Sequence, residues 1–407
     1  MGISHTDLFF LAMKRPTMFP LGAFEKIETP FYYYDADLLR STLDALLAAQ
    51  PPHSKVHYAV KANPNPRVLS LIAASGLGAD CVSGGEIAAA IAAGFAPCDI
   101  VFSGVGKTDK EILMALDRGI GCLNVESMPE LDVINELAAD RGVTAPVALR
   151  LNPHIDAHTH KYITTGLSEN KFGIDITVAD DAIERALALP NVRLLGVHFH
   201  IGSQILTLEP FRLLCHRIGE WLKRWRARGV FMEYINVGGG LGIDYDEPDA
   251  YPIPDFAAYF SLFAHELPLE EGQILHFELG RSVVAQCGSL ITRVLYVKQG
   301  LDKKFAIVDA GMNDLLRPAL YQAHHAIENL TSSHAPKHKY DVVGPVCESA
   351  DVFATDIVLP QVTRGTLLAI RSAGAYGEAM SSCYNSRRLP LSYFSDNMQT
   401  TDVETKS

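Results

Sequence analysis

The chain has 407 residues, 48% hydrophobic and 20% charged. A barrel domain closes at about 250 residues, so this length leaves room for a barrel and a second domain. With 35 Lys and Arg against 47 Asp and Glu, the formal charge of −12 speaks against nucleic-acid binding, which needs a basic face. A local positive site for a small anion stays allowed.

The longest apolar run near the start, Leu8–Met13, is far short of the roughly 20 residues of a membrane helix. His5 and Asp7 stand where a secretory leader would be basic. Cys81, Cys98, Cys122, Cys215, Cys287, Cys347 and Cys383 contain no CxxC pair, so neither a zinc cage nor a disulfide framework is expected. The expectation is a cytoplasmic protein with reduced thiols, no membrane and no nucleic-acid partner.

In chain order, Pro30–Tyr34 reads as a strand and the stretch from Asp37 to Ala48 as a helix. From residue 55 a regular alternation begins. Strands are expected at Lys55–Val60, Ala79–Ser83, Asp99–Ser103, Gly121–Glu126, Pro146–Asn152, Leu194–Phe199, Tyr234–Val237 and Ile274–Glu278. Between them lie helical patterns at Gly85–Ala93, Asp109–Asp117, Pro129–Asp140, Asp180–Leu189, Pro210–Arg228 and Asp255–Glu266. This alternation reads as a closed parallel (β/α)8 barrel over residues 36–281, with an open doubly wound sheet as the rival.

After residue 282 the pattern changes. Val283–Gln299, Lys304–Val308, Tyr340–Val343, Val352–Leu359 and Thr366–Ala369 look like strands, with a short helix at Ala319–Glu328. Residues 282–394, joined by 1–35, form an expected antiparallel β domain, and 395–407 a disordered tail.

A barrel carries its site at the C-terminal ends of its strands. Unusual residues gather there: Lys61 after the first strand, His198 and His200 with Ser203 after the sixth, Gly238–Gly240 after the seventh, and Glu278-Leu279-Gly280-Arg281 after the eighth. A desolvated lysine forms a Schiff base readily, although a barrel-mouth salt bridge is the plainer reading of Lys61. Glycine backbone can close around a phosphate, although a tight loop also explains the triplet. Lysine, phosphate cradle and buried acid together suggest pyridoxal 5'-phosphate, with Glu278 on the pyridine nitrogen, His200 on the ring and Ser203 on the phosphate. His198 is expected either merely to pack or to take a lesser role. For every cysteine except Cys347, burial as a small hydrophobe is the expectation.

Tyr58–Asn63, Val82–Glu86, His198–Gln204, Gly238–Gly242 and Glu278–Arg281 resemble the motifs of the fold-type III decarboxylases that use pyridoxal phosphate. Asp309–Tyr321, Gly344–Asp351, Ala373–Tyr376 and the loop Thr159–Gly173 narrow the resemblance to the diaminopimelate decarboxylases among them. Leu279 departs from the proline usual there. The resemblance implies a barrel plus β domain in a homodimer whose active sites are shared. It implies Lys61 as covalent anchor, His200 on the ring, and Ser203, Gly240, Gly280 and Arg281 near the phosphate. It places Tyr376 on cofactor and substrate, and Arg281, Arg317 and Tyr321 on the unreacting carboxylate. Cys347 as proton donor and Glu348 on the distal ammonium would come from the partner. The implied reaction releases CO2 from meso-2,6-diaminopimelate to give L-lysine. Rivals are decarboxylases of ornithine, arginine or carboxynorspermidine, an amino-acid racemase, and a catalytically silent relative.

Overall fold

The computed structural model describes residues 19–155, 171–332 and 334–398. All but the last three residues of Thr159–Gly173, and the tail beyond 398, lie outside these. The chain divides into two compact units: Leu43–Gly242 with Asp255–Gly280, and, among the described residues, 19–42, 243–254 and 281–398.

The first strand, β1 (Phe31–Tyr34), belongs to the second unit. The first unit holds β2 (Ser54–Ala59), β3 (Gly78–Cys81), β4 (Ile100–Phe102), β5 (Cys122–Val125), β6 (Ala145–Asn152), β7 (Ile174–Asp175), β8 (Val192–His198), β9 (Tyr234–Asn236) and β10 (Ile274–Leu279). They run parallel in the order β5-β4-β3-β2-β10-β9-β8-β6, and β6 returns to β5 through Leu123↔Val147 and Val125↔Leu149. That last pairing closes the barrel and excludes the open sheet; β7 is a two-residue addition on β6. All eight expected barrel strands are present, because strands covered on both faces show as short apolar runs. Several of the helices between them start where the sequence supplies caps. Ser83 and Ser127 accept from the amides of Glu86 and Glu130, and Thr108 forms a full capping box with Glu111.

The second unit is one sheet: β11 (Gly288–Gln299), β12 (Lys304–Val308), β13 (Ile327–Asn329), β14 (Lys337–Val343), β15 (Val352–Pro360), β16 (Leu367–Ile370) and β17 (Leu391–Phe394). Its order is β13-β16-β11-β12-β14-β15, with β1 antiparallel to β11 and parallel to β17. Phe24, Phe31, Tyr33, Ile291, Leu367 and Ala369 form a core cluster here.

Four expectations need correction. The strand expected at Val283–Gln299 begins only at Gly288, because Arg281–Val284 is a helical turn closed by the Ala285 amide on the Arg281 carbonyl. The helix expected at Ala319–Glu328 is Arg317–Tyr321; Gln322 turns left-handed (φ 53°) and Ile327–Asn329 pairs with β16. The tail expected from 395 starts with a helical turn, Ser395–Met398, whose Ser395 hydroxyl accepts from the Ala36 amide at 3.0 Å. Residues 36–42, Ile243–Pro254 and Arg281, read as barrel, group with the β unit, where Tyr245 O accepts from the Ala326 amide and Asp249 pairs with Arg371.

Candidate active site

At the barrel mouth, β2 runs into a single 3-10 turn, Val60–Ala62, which projects Lys61. Its ammonium lies 3.1 Å from Asp80, a fully buried carboxylate on β3. The salt bridge considered for Lys61 therefore exists, and its partner is at the site. From Asp80 a hydrogen-bonded chain crosses the barrel. The Ser103 hydroxyl donates to Asp80 at 2.9 Å, and the Asn124 amide donates to Ser103 at 2.9 Å and to Glu278 at 3.3 Å. Asn236 donates to the same Glu278 oxygen at 2.7 Å, and His198 Nε2 meets the other at 2.9 Å.

His198 thus does more than pack: it meets the buried acid, and its Nδ1 is left without a partner among the described residues. Burial alone would raise the Glu278 carboxyl, but His198 and then Lys61 hold it well below the usual range. Asp80 moves the other way, raised by burial and by Glu278 against the pull of Lys61. Burial, then Arg150 and Lys61, push His200 well below its ordinary value, so it is a neutral imidazole whose Nδ1 accepts from the Gly239 amide at 3.3 Å.

The glycine run is required by close approach. A Cβ on Gly239 would lie 1.8 Å from the Glu278 carbonyl oxygen, and one on Gly240 (φ +109°) 2.6 Å from that of Gly202. Asn236 fixes the run by accepting from the Gly238 amide at 2.8 Å, and Ile205 donates to Gly240 at 2.9 Å, joining the loop that carries Ser203. Leu279 is buried at the end of β10, in register with Tyr58.

The β unit holds a second cluster. Arg281 is buried, donates to the Tyr245 hydroxyl at 2.6 Å, and lies 4.9 Å from the Tyr376 ring. Arg317, 5% exposed, lies 4.6 Å over the Tyr245 ring and 2.7 Å from His325 Nε2. Among the described residues no carboxylate lies within ion-pairing distance of it, so the surface ion pair that could have explained it is absent. Tyr321 is half-buried at the end of the same short helix. Tyr376 is held at φ +58°, a strained backbone for an aromatic residue and one met at functional sites.

Cys347 and Glu348 are exposed, on a loop clamped by Asp351, whose two oxygens accept from the Met312 and Val346 amides, each at 2.7 Å. Glu348 accepts from the Tyr384 hydroxyl. Of the other cysteines, Cys81, Cys122, Cys215 and Cys287 are buried as expected, whereas Cys98 and Cys383 are exposed; Cys98 lies within a short 3-10 turn and Cys383 just before another, neither on a core strand.

The barrel mouth suits pyridoxal phosphate on its own chemistry. Lys61 keeps 39% of its side chain accessible, enough to meet an aldehyde. An ionised carboxylate offers about four acceptor positions; Glu278 uses three, leaving one for a ring N–H. Asn236 and His200 take the Gly238 and Gly239 amides, and the side-chain-free backbone of the run lets a phosphate approach Gly240 and Ser203. Reading the sequence missed Asp80, Ser103, Asn124 and Asn236 here, and Tyr245 and His325 in the β unit. The signal of the four barrel residues was a polar side chain inside or just after an apolar strand, as in Gly78-Ala79-Asp80 and Tyr234-Ile235-Asn236.

Residues 37–285 match the family model described as the pyridoxal-dependent decarboxylase, pyridoxal binding domain. The diaminopimelate decarboxylase of Bacteroides thetaiotaomicron is 58% identical over 383 residues, covering 94% of this chain and 99% of that one. The Aquifex aeolicus enzyme of the same name is 44% identical, over 88% and 84%. Among solved structures, diaminopimelate decarboxylase from Helicobacter pylori in complex with L-lysine superposes with TM-score 0.87 at 43% identity, covering 92% and 93%. The lysine/ornithine decarboxylase of Vibrio vulnificus, at 22% identity and TM-score 0.80 over 97% and 99%, shares the fold. A closed parallel barrel with a lysine, a buried acid and a glycine cradle at its mouth, joined to a mostly antiparallel sheet, is a pyridoxal-phosphate-dependent decarboxylase of fold type III. Within that class the chain belongs to the diaminopimelate decarboxylase family.

Proposed function

We propose that this chain catalyses its family's reaction, removing CO2 from the D centre of meso-2,6-diaminopimelate to leave L-lysine, with pyridoxal phosphate held on Lys61. The observation that carries the choice of substrate is Arg317, buried and without a carboxylate partner among the described residues. A guanidinium in that state calls for an anion. Diaminopimelate keeps a carboxylate at the end that does not react. Substrates of diamine-forming decarboxylases do not, and would leave Arg317 unpaired at a cost.

Pyridoxal phosphate, when bound, supplies the electron sink for the charge left by departing CO2. Lys61 would anchor it, and Asp80, 3.1 Å from Lys61 Nζ, would hold a proton there. Glu278, kept ionised by His198, holds the proton on the ring nitrogen, and neutral His200 covers the ring without competing for that proton. Ser203, the Gly240 amide and Arg281 would receive the phosphate, with Gly238, Gly239, Leu279 and Gly280 bringing the backbone close to it. Arg281, Arg317, Tyr321 and Tyr376 hold the distal carboxylate, and Glu348 the distal ammonium. Cys347 delivers a proton from Sγ to the carbon that lost CO2. Cys347 and Glu348, exposed on the β unit, would serve the barrel of a second copy in a homodimer; their exposure supports this reading.

Product analysis with meso-diaminopimelate, with and without added pyridoxal phosphate, tests the reading. L-lysine and CO2 that depend on the cofactor are expected. Faster turnover of ornithine, arginine or carboxynorspermidine, or racemisation without CO2, would overturn it. Mixing Lys61→Ala with Cys347→Ala protomers should restore activity; no recovery counts against shared sites.

A further inference from the structure

His325 has no role in the assignments above, yet it touches Arg317 and is 1% exposed. Its two ring nitrogens face groups that leave no choice of protonation. Nδ1 lies 2.8 Å from the Arg371 carbonyl oxygen, which can only accept, so Nδ1 carries hydrogen. Nε2 lies 2.7 Å from Arg317 Nη1, which can only donate, so Nε2 is bare. Only one neutral tautomer satisfies both contacts. An imidazolium would set one N–H against another.

The carbonyl that fixes this tautomer is itself fixed. The Arg371 amide donates to Ala326 O at 2.8 Å, and its guanidinium is gripped by Asp249, at 2.7 and 3.2 Å, and by Glu328. The Tyr245 ring packs edge-on to His325 with centroids 5.0 Å apart and lies under Arg317. Burial, then the charge of Arg317, push His325 down to about 3, the direction the contacts require.

The choice of residue has a consequence for charge. An aspartate or glutamate could accept the same hydrogen bond, but would neutralise Arg317 from within. A neutral imidazole orients the guanidinium and supplies no charge. We propose that His325 is a positioning residue that holds Arg317 through an uncharged acceptor, so that the positive charge stays open for the substrate's distal carboxylate. This rests on the assignment of Arg317 given under Proposed function.

The test uses the holoenzyme and two competitive ligands: L-lysine, which keeps the distal carboxylate, and cadaverine, which lacks it. In His325→Asp the inhibition constant of L-lysine should rise roughly tenfold or more, the size of one charge-assisted hydrogen bond, with cadaverine unchanged. KM for diaminopimelate should rise more than kcat falls. In His325→Gln, which keeps an acceptor oxygen and a donor amide, both ligands should bind as to the wild type. Equal losses for the two ligands, or unchanged L-lysine binding in His325→Asp, would overturn the proposal. Arg317→Ala separates the two claims. If it weakens both ligands equally, the assignment of Arg317 fails. If it selectively loses L-lysine while His325→Asp does not, only the role of His325 fails. In unmodified protein labelled with 15N-histidine, the resonances lost in His325→Gln should report a protonated Nδ1 and a bare Nε2 at pH 7. A protonated Nε2 in the unmodified protein would overturn the inference.

Discussion

Glu278 in the barrel and Arg317 in the β unit are both buried charges, and their surroundings are opposite. Glu278 receives three hydrogen bonds, one from a histidine and two from asparagines that are themselves tied to Ser103 and to the Gly238 amide. Arg317 has a neutral imidazole and a phenol ring. Burying a charge costs several kcal/mol unless partners repay it, so the first arrangement is nearly complete in itself and the second is not. A nearly satisfied anion suits a cofactor that stays in place through every turnover. An unsatisfied cation suits a ligand that comes and goes.

The sharpest challenge to this contrast is Lys61→Ala. It should abolish turnover and the visible absorbance of bound cofactor while the protein still melts cooperatively; colour that persists would mean the anchor lies elsewhere. Cys347→Ala should lower kcat by about 10²–10⁴-fold, the usual worth of a positioned general acid, with KM little changed and the bound cofactor's spectrum intact. Steady-state kinetics showing unaltered kcat would remove its role. Arg317→Ala should raise KM for diaminopimelate about tenfold to a hundredfold, hydrogen bonds to charged groups being worth about 1.5–3 kcal/mol. A change confined to kcat would make Arg317 part of the chemistry, and the contrast would fall.

The smallest effect concerns the barrel's other buried histidines. His57 Nε2 and His276 Nδ1 are 2.9 Å apart, and burial lowers both, His276 to about 2. The unfolded chain takes up these protons near pH 6.5 and the folded one does not. Their contribution to stability is therefore full above about pH 6.5 and is lost progressively as the pH falls below it. The urea midpoint should drop between pH 7 and pH 5, and less so in His276→Gln; an equal drop in both would assign the acid sensitivity to other groups.

The barrel was legible because period and punctuation agree. Most of its apolar runs of three to eight residues lead to a helix capped by a side chain, as at Ser83, Thr108 and Ser127. The β unit was harder to read, since its strands pair across long separations. β17 escaped notice because Leu391–Phe394 is a short run whose partner lies near the other end of the chain. At the barrel mouth, the residues with reactive groups were visible from their motifs: Lys61, His200 and Glu278. Those that orient them were not. Asp80, Asn124, Asn236 and His325 gain meaning only through a partner brought near by folding, and a polar residue in a strand carries no mark of what it will face. His198 was undervalued for the same reason: its motif shows two alternate histidines, and the strand pairing decides which one reaches the acid.

The position of β1 bears on how the chain is made. Phe31–Tyr34 pairs with Ile291–Gly288 on one edge and with Leu391–Phe394 on the other. On a ribosome adding about 5–20 residues per second, the barrel can close once β10 has emerged, whereas this aromatic strand waits with one edge open until β17 appears. An unpaired, apolar edge is a template for association between chains. Chains shortened to end before Leu391 should therefore accumulate as insoluble protein even though every barrel residue is present.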